Sequence, residues 1–260
     1  MTPDKLSKAA TLLLEARRTR QWLTALPEDC RPADIDEAYA IQGAVFSSLA
    51  RRAAAWKVGA GSSDATPACA AIADSTFYRD GAALPASGFN LVGAEAEIAY
   101  RLGRDLPTRE KAYSLDEVKA AVESVHPAIE ISDTRFVGWA SQSRPSHVAD
   151  QLNHGALIIG ESAAALADVD PLRQRAIMTI NGEVRADTTG GNPAGDPLRL
   201  LLWLANVGAR AAGGLSAGSI VTTGSLTGVM FVTPPVVLHA DLPGLGAVRT
   251  TVERKGGGRQ

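Results

Sequence analysis

The sequence predicts an α+β fold: a β-rich body with peripheral helices and a small helical N-terminal segment. Three observations lead there. Helical periodicity is concentrated in the first fifty residues. After Ala55, short apolar runs alternate with Gly, Pro, Asp and Asn, as strands and turns do. These runs are not regularly separated by helices, which argues against a doubly wound parallel sheet.

Taken in order, Lys5 to Arg20 carries Leu6, Ala9, Ala10, Leu13 and Leu14 at helical spacing. Ile35 to Arg52 does the same with Ala38, Ile41, Gln42, Val45, Phe46 and Leu49. Pro32 bars a helix from running through the connector between them. Strands are expected at 56–58, 91–100, 125–131, 155–159, 175–180, 183–186, 219–222, 228–231, 236–240 and 247–252. Asn181-Gly182 joins two of them, and both residues accept the positive φ of a type I′ hairpin. Ser114-Leu115-Asp116-Glu117 reads as a capping box opening a helix to about Ser124. Asp196-Pro197 reads as a cap and first-turn proline for an apolar helix through Ala212. The expected division is a helical segment over 1–54 packed on the core, a β-rich catalytic domain over 55–254, and a flexible Gly-rich tail over 255–260.

The chain has 260 residues, 45% hydrophobic and 21% charged, enough for one large core. A net charge of −2 with interspersed signs gives no field to recruit nucleic acid or an anionic membrane. No apolar stretch approaches the roughly 18 residues that span a bilayer. Cys30 and Cys69 lack metal-ligand spacing, and the N-terminus shows no basic segment leading into an apolar run. A cytoplasmic, reduced protein is expected, whose partner is a small molecule or another copy of itself.

The most informative residues are Glu95 and Glu97, in Gly93-Ala94-Glu95-Ala96-Glu97-Ile98-Ala99. Strand side chains alternate, so two carboxylates one residue apart share a face and repel unless a cation or proton compensates them. Glu130, set in the apolar run Ala128-Ile129-Glu130-Ile131, is the natural third ligand. Three carboxylates offer hard oxygen donors that suit Mg2+ or Mn2+ better than zinc. The competing reading is structural ion pairing with Arg101, Arg104 or Arg135, and spacing alone leaves the two level. Lys57, a single charge in Ala55-Trp56-Lys57-Val58, is either a proton carrier or carboxylate anchor, or a snorkelling edge-strand lysine. Gly59-Ala60-Gly61 and Gly190-Gly191-Asn192-Pro193-Ala194-Gly195 lack the residues that complete a phosphate loop and read as tight turns. His126, His147, His154 and His239 have no zinc spacing, and Ser62, Ser63 and Ser225 no nucleophile-elbow context.

Together these blocks resemble the fumarylacetoacetate hydrolase superfamily, specifically its 2-keto-4-pentenoate hydratase and 4-oxalocrotonate decarboxylase branch. The resemblance runs in one order through Asp36-Glu37-Ala38-Tyr39, Trp56-Lys57-Val58-Gly59, Ile72-Ala73-Asp74-Ser75, Glu95-Ala96-Glu97, Glu130-Ile131-Ser132-Asp133, Val148-Ala149-Asp150, Asn181-Gly182-Glu183, Trp203-Leu204-Ala205-Asn206 and Thr223-Gly224-Ser225. It implies a mixed β-sandwich roll and a Mg2+ or Mn2+ ion held by Glu95, Glu97 and Glu130. It also implies Lys57 and Asp74 as catalytic residues, with Ser62, Asp150 and Ser225 binding substrate.

The implied reaction is hydration of 2-hydroxypenta-2,4-dienoate (2-keto-4-pentenoate) to 4-hydroxy-2-oxopentanoate in aromatic-compound catabolism. The alternatives are decarboxylation of 2-oxo-3-hexenedioate, C–C hydrolysis of an acylpyruvate, or a non-enzymatic role as scaffold partner of such an enzyme. A homo-oligomer and a complex with a related pathway enzyme are further implications. Where the family continues its lysine motif as Gly-Leu-Thr-Ser, this chain has Gly59-Ala60-Gly61-Ser62, which widens the substrate end. Trp139, Arg144 and His147 precede Asp150, where cations would meet a second carboxylate; surface exposure is the competing reading.

Overall fold

The computed structural model describes residues 1–139, 141–161 and 163–254; the expected tail, 255–260, lies outside the described residues. Two helices come first, α1 (Pro3–Thr19) and α2 (Ile35–Leu49). Asp34 caps α2 by accepting from the Glu37 amide at 2.9 Å, and the Glu37 carboxylate returns to the Ala33 amide. The body then runs through β1 (Ala55–Gly59), β2 (Ala68–Ile72), β3 (Phe77–Arg79), β4 (Ala83–Pro85), β5 (Val92–Leu102) and β6 (Leu106–Pro107). It continues with α3 (Leu115–Ala121), β7 (Val122–Ser132), α4 (Arg144–Ala149), β8 (His154–Ile159), β9 (Arg175–Ile180) and β10 (Glu183–Thr189). The last part holds α5 (Pro197–Trp203), β11 (Gly214–Leu215), β12 (Ile220–Ser225), β13 (Met230–Val232), β14 (Val236–Leu242) and β15 (Gly246–Glu253).

Among the described residues, eight strands form a curled sheet in the order β2-β1-β12-β5-β7-β8-β3, with β13 also on β5. Five more form a second sheet, β10-β9-β14-β15-β4. One face of the curled sheet, with Val58, Ala96, Ile98, Tyr100, Ile129 and Ile158, packs on Met178, Leu238, Ala240 and Val248 of the second sheet and on Leu200 and Leu201 of α5. The other face carries a smaller buried cluster of Ala55, Ile72, Ala99, Ala128, Leu157, Ile159 and Ile220. The N-terminal helices close a third cluster, in which Ala9, Leu13, Ile41 and Val45 meet Ala68, Phe136, Val148 and Ala149. No helix among the described residues is long and apolar enough to cross a membrane.

The hairpin forms as its dipeptide predicts, with Asn181 at φ 52° and Gly182 at φ 86°. The capping box at Ser114 is also present. The expected helix to Ser124 ends at Ala121, because Val122 already begins the long strand β7. The apolar helix expected through Ala212 stops at Trp203 and relaxes into a π turn over Leu204–Gly208, then a 3-10 turn over Arg210–Ala212. Gly208 sits in a crowded spot where a Cβ would come within 2.9 Å of Trp203, Cys69 and Leu204 side chains. Strand β2 was not expected: Ala-Cys-Ala-Ala-Ile carries little strand propensity, and burial at every position holds it in place. Lys57 does not lie on a sheet edge, since β1 is flanked by β2 and β12.

Candidate metal centre

Strand register builds the centre. β5 and β7 pair antiparallel with Glu95 opposite Glu130, and Glu97 lies two residues along β5 on the same face. Lys57 pairs with Thr222, and Thr222 with Ala99, so the lysine is carried across two strands onto that face. Ligand oxygens of Glu95, Glu97 and Glu130 all lie within 4.8 Å of one another. Glu97 and Glu130 are almost fully buried, at 2% and 1% exposure, while Glu95 is half-buried.

Each carboxylate is anchored through one oxygen. Ser132 Oγ donates to Glu95 Oε2 at 3.1 Å and the Gly224 amide to Glu97 Oε2 at 3.0 Å. Lys57 Nζ reaches Glu130 Oε1 at 2.5 Å, and His154 Nδ1 lies 3.1 Å from the same oxygen. Lys57 also donates to the Leu152 carbonyl at 3.0 Å, and His154 Nε2 lies 3.0 Å from Thr76 Oγ1. Leu152 belongs to three consecutive left-handed residues, Gln151, Leu152 and Asn153, near φ 52°, 51° and 57°. Such a run costs energy and persists only where its surroundings hold it. Arg17 does so through Gln151, and His147 through Asn153.

Electrostatics follow from burial. Burial pushes the Glu95 carboxyl up to about 7, with the negative Glu130 adding to it. Glu97 is raised further by burial, then by Glu130 and Glu95. Burial alone would raise Glu130 too, but the Lys57 charge, then the His154 hydrogen bond, hold it at about 2. Burial lowers His154 to about 4, so it is neutral at pH 7. Lys57 is raised despite its burial by the charges of Glu130 and Glu95. Burial and mutual repulsion thus drive Glu95 and Glu97 toward their protonated forms while Glu130 stays ionised against Lys57, and a divalent cation would supply the positive charge that lets all three ionise.

The residues fit such an ion. Three hard oxygen donors converge, and each carboxylate has one oxygen held by a hydrogen bond, as ligands are braced around metals. On the same face Thr222 Oγ1 is buried with no hydrogen-bond partner among the described residues, a polar atom suited to an ordered water beside the ion. Ion binding requires both Glu95 and the more strongly raised Glu97 to give up their protons, so stabilisation by Mg2+ rises as pH climbs through about 7 and beyond. Without metal the sign reverses. The folded-state pKa of Glu95 lies above its ordinary 4.5, so its contribution to stability falls between about 4.5 and about 7. Thermal unfolding across that range, with and without Mg2+, is expected to show a metal-induced increment that grows with pH; an increment independent of pH contradicts this assignment.

The remaining sequence-predicted residues divide. Ser225 sits opposite Glu97 across β12 and β5, half-buried at the site. Ser62 lies on the loop after β1, where its hydroxyl donates to Asp64 at 2.6 Å. Asp74 is exposed at the start of a 3-10 turn whose Thr76 meets His154. Asp150 is turned inward at 3% exposure, with Oδ1 2.5 Å from Arg135 Nε and Oδ2 accepting from the Arg135 amide and Thr134 Oγ1. Its oxygens thus fix the buried Arg135 and the entry to the 151–153 turn. Among the described residues no ion pair joins Arg101, Arg104 or Arg135 to these glutamates: Arg101 pairs with Glu123, and Arg135 with Asp150. Arg144 donates to the Thr66 carbonyl.

The fumarylacetoacetate (FAA) hydrolase C-terminal family profile matches residues 43–253. The chain belongs to the fumarylacetoacetate hydrolase family. Within it, the chain is 30% identical to a 2-keto-4-pentenoate hydratase of Paraburkholderia xenovorans (strain LB400), over 97% of each chain. Its fold superposes on 4-oxalocrotonate decarboxylase from Pseudomonas putida G7, complexed with magnesium and adipate. That match has a TM-score of 0.86 and 25% identity over 97% of this chain and 98% of the other. The same decarboxylase complexed with calcium and acetate gives 0.85. Membership in the fumarylacetoacetate hydrolase family, including its hydratase and decarboxylase branch, accounts for the order of motifs from Asp36 to Ser225. His154, Ser132, the Gly224 amide and the Leu152 carbonyl were not singled out as site groups from sequence. Their part depends on cross-strand register and a turn geometry that leave no local signature.

Proposed function

We propose that this chain is a metal-dependent lyase acting on a 2-oxo or 2-hydroxy alkenoic acid, with Mg2+ or Mn2+ on Glu95, Glu97 and Glu130. The observation that carries the reading is the convergence of those three carboxylates within 4.8 Å on the face that also presents Lys57. When bound, the ion supplies Lewis-acid stabilisation of the charge that builds on the C2 oxygen as a proton or carboxylate leaves. Lys57, held between Glu130 and the Leu152 carbonyl, exchanges a proton with the bound acid or holds its carboxylate. Asp74 is a second candidate for proton transfer; it opens the 3-10 turn whose Thr76 Oγ1 lies 3.0 Å from His154 Nε2. The apolar floor of Ala99, Ala128, Leu157 and Ile159 keeps bulk water from the inner side.

Two reactions share this head chemistry. Hydration of 2-hydroxypenta-2,4-dienoate is supported by the hydratase relatives. Decarboxylation of 2-oxo-3-hexenedioate has the more direct backing, because the whole-chain likeness at a TM-score of 0.86, a metal and a diacid come together in one structure. Purified protein with Mg2+ is assayed on 2-hydroxypentadienoate, 2-oxo-3-hexenedioate and an acylpyruvate. Turnover of either of the first two, abolished by a chelator, is expected. Turnover of the acylpyruvate alone, or chelator-resistant turnover, contradicts the reading.

A further inference from the structure

The Lys57 ammonium carries three donors. Glu130 Oε1 takes one at 2.5 Å and the Leu152 carbonyl another at 3.0 Å, so two directions are fixed and the tetrahedral nitrogen aims the third. Glu130 belongs to the carboxylate cluster, which leaves the Leu152 carbonyl as the anchor outside it. The place of that carbonyl depends on an uncommon backbone path. Gln151, Leu152 and Asn153 are all left-handed, a conformation that of these three only asparagine adopts with any ease. Return of Gln151 or Leu152 to negative φ turns the peptide planes of the turn and swings the carbonyl off Nζ. The two ends of the turn are held by the sheet: Arg135 donates to the Asp150 carbonyl at 3.0 Å and to the His154 carbonyl at 2.9 Å, and the Asp133 amide to the Asn153 carbonyl at 2.8 Å. Its middle is held from the N-terminal helices. Leu152 packs on the cluster that includes Leu13 of α1 and Ile41 of α2. Gln151, 3% exposed, accepts from Arg17 Nη2 at 3.0 Å. Arg17 follows the buried Leu13 by one helical turn, so the inner face of α1 delivers it to a partner 134 residues away in sequence.

From this geometry we propose that Arg17 is a positioning residue for Lys57: its bond to Gln151 holds the left-handed turn, and the turn holds the Leu152 carbonyl that aims the lysine. The N-terminal helical segment then serves the chemistry as well as the core. The proposal rests on the reading of Lys57 as the group that meets the bound acid. The charge of Arg17 does not explain its place. Burial, and then the Arg135 charge beside it, lower Arg17 to about 9, with only partial compensation from Asp150 and Asp133. A cation in that position is less favourable than the same cation in water. The two acids nearest it pair with Arg135 instead. What the Arg17 guanidinium supplies is a directed bond to a buried side-chain carbonyl, at the one residue whose conformation decides where the next carbonyl points.

The test is a double-mutant cycle in turnover by the full chain, run in saturating Mg2+ on whichever of 2-hydroxypentadienoate and 2-oxo-3-hexenedioate the wild type converts. Arg17→Met is expected to lower kcat by about 10- to 100-fold, the scale of a misplaced catalytic group, with Mg2+ affinity within about twofold of the wild type. Gln151→Ala, which removes the same bond from its other end, is expected to give the same loss. In the Lys57→Met background Arg17→Met changes the residual kcat by less than about twofold, because the group it positions is gone. Adding Gln151→Gly to Arg17→Met recovers most of the loss, since glycine keeps a left-handed φ without the bond. Equal losses in both backgrounds, a parallel fall in Mg2+ affinity, no recovery with glycine, or an unchanged kcat in Arg17→Met overturns the proposal. The crystal structure of Arg17→Met adds a readout that needs no turnover. The Leu152 carbonyl is expected beyond hydrogen-bond distance of Lys57 Nζ, and a retained bond overturns the proposal. A wild type that converts neither acid contradicts the functional reading, and the variant structure then decides the positioning role by itself.

Discussion

Glu97→Gln is expected to abolish Mg2+-induced stabilisation and to lower kcat/KM by at least about two orders of magnitude. The side chain is 2% exposed, and its Oε2 accepts from the Gly224 amide, a bond that a glutamine carbonyl preserves. What changes is the ability of one carboxyl to ionise toward a cation, in a cluster of three carboxyl groups facing one ammonium. Because burial and the neighbouring carboxylates already raise Glu97 well above its ordinary range, the metal-free protein favours its neutral form, and a neutral amide in its place costs little. Metal-free Glu97→Gln is therefore expected to be about as stable as the wild type at pH 8. With ion at a hundredfold excess over its Kd the wild type gains about 2.7 kcal/mol, and the variant loses that gain. Thermal unfolding with and without Mg2+ separates the two contributions. A variant that keeps its metal-induced shift shows that Glu97 is not a ligand.

Lys57→Met is expected to do the opposite to stability while also stopping turnover. The wild-type ammonium bonds Glu130 Oε1 at 2.5 Å inside a pocket where Glu130 is 1% exposed. Removing one partner of such a pair leaves an uncompensated buried charge, a loss of about 3–5 kcal/mol in the metal-free protein. A divalent ion takes over that compensation, so added Mg2+ restores much of the stability and binds no more weakly than in the wild type. Loss of a positioned proton carrier lowers kcat by about 10²–10⁴-fold even at saturating metal. Urea unfolding with and without Mg2+, paired with steady-state kinetics, reads both effects. Near-wild-type kcat in the metal-restored variant would reduce Lys57 to a structural counter-charge.

Local pattern made part of this centre readable. Glu95 and Glu97 stand out because strand alternation puts both on one apolar face, and their neighbours Ala94, Ala96 and Ile98 are buried as that pattern implies. Glu130 stands out as a carboxylate set in the apolar run Ala128-Ile129-Glu130-Ile131, but nothing near it in sequence states that it lies opposite Glu95, which register supplies. His154 was read only as one of four unremarkable histidines, because its contact with Glu130 spans 24 residues and depends on β8 lying beside β7. Asp150 is implied as a substrate contact by the resemblance alone, and no local pattern announces that its oxygens satisfy Arg135, whose guanidinium is buried at 2% exposure and demands a charged partner. In the fold, the hairpin and the helix caps were legible because turn and cap chemistry is local. Strand β2 was not, because alanines become strand here only through the neighbours that bury them.

The measurement that bears most directly on the account is anomalous scattering from crystals of the protein grown with Mn2+. The expected result is one strong peak within ligand distance of the oxygens of Glu95, Glu97 and Glu130, about 2.0–2.3 Å away, and no such peak in Glu97→Gln crystals. A peak elsewhere with these carboxylates still bonded only to Lys57, Ser132 and Gly224, or no peak at all at saturating Mn2+, would contradict it.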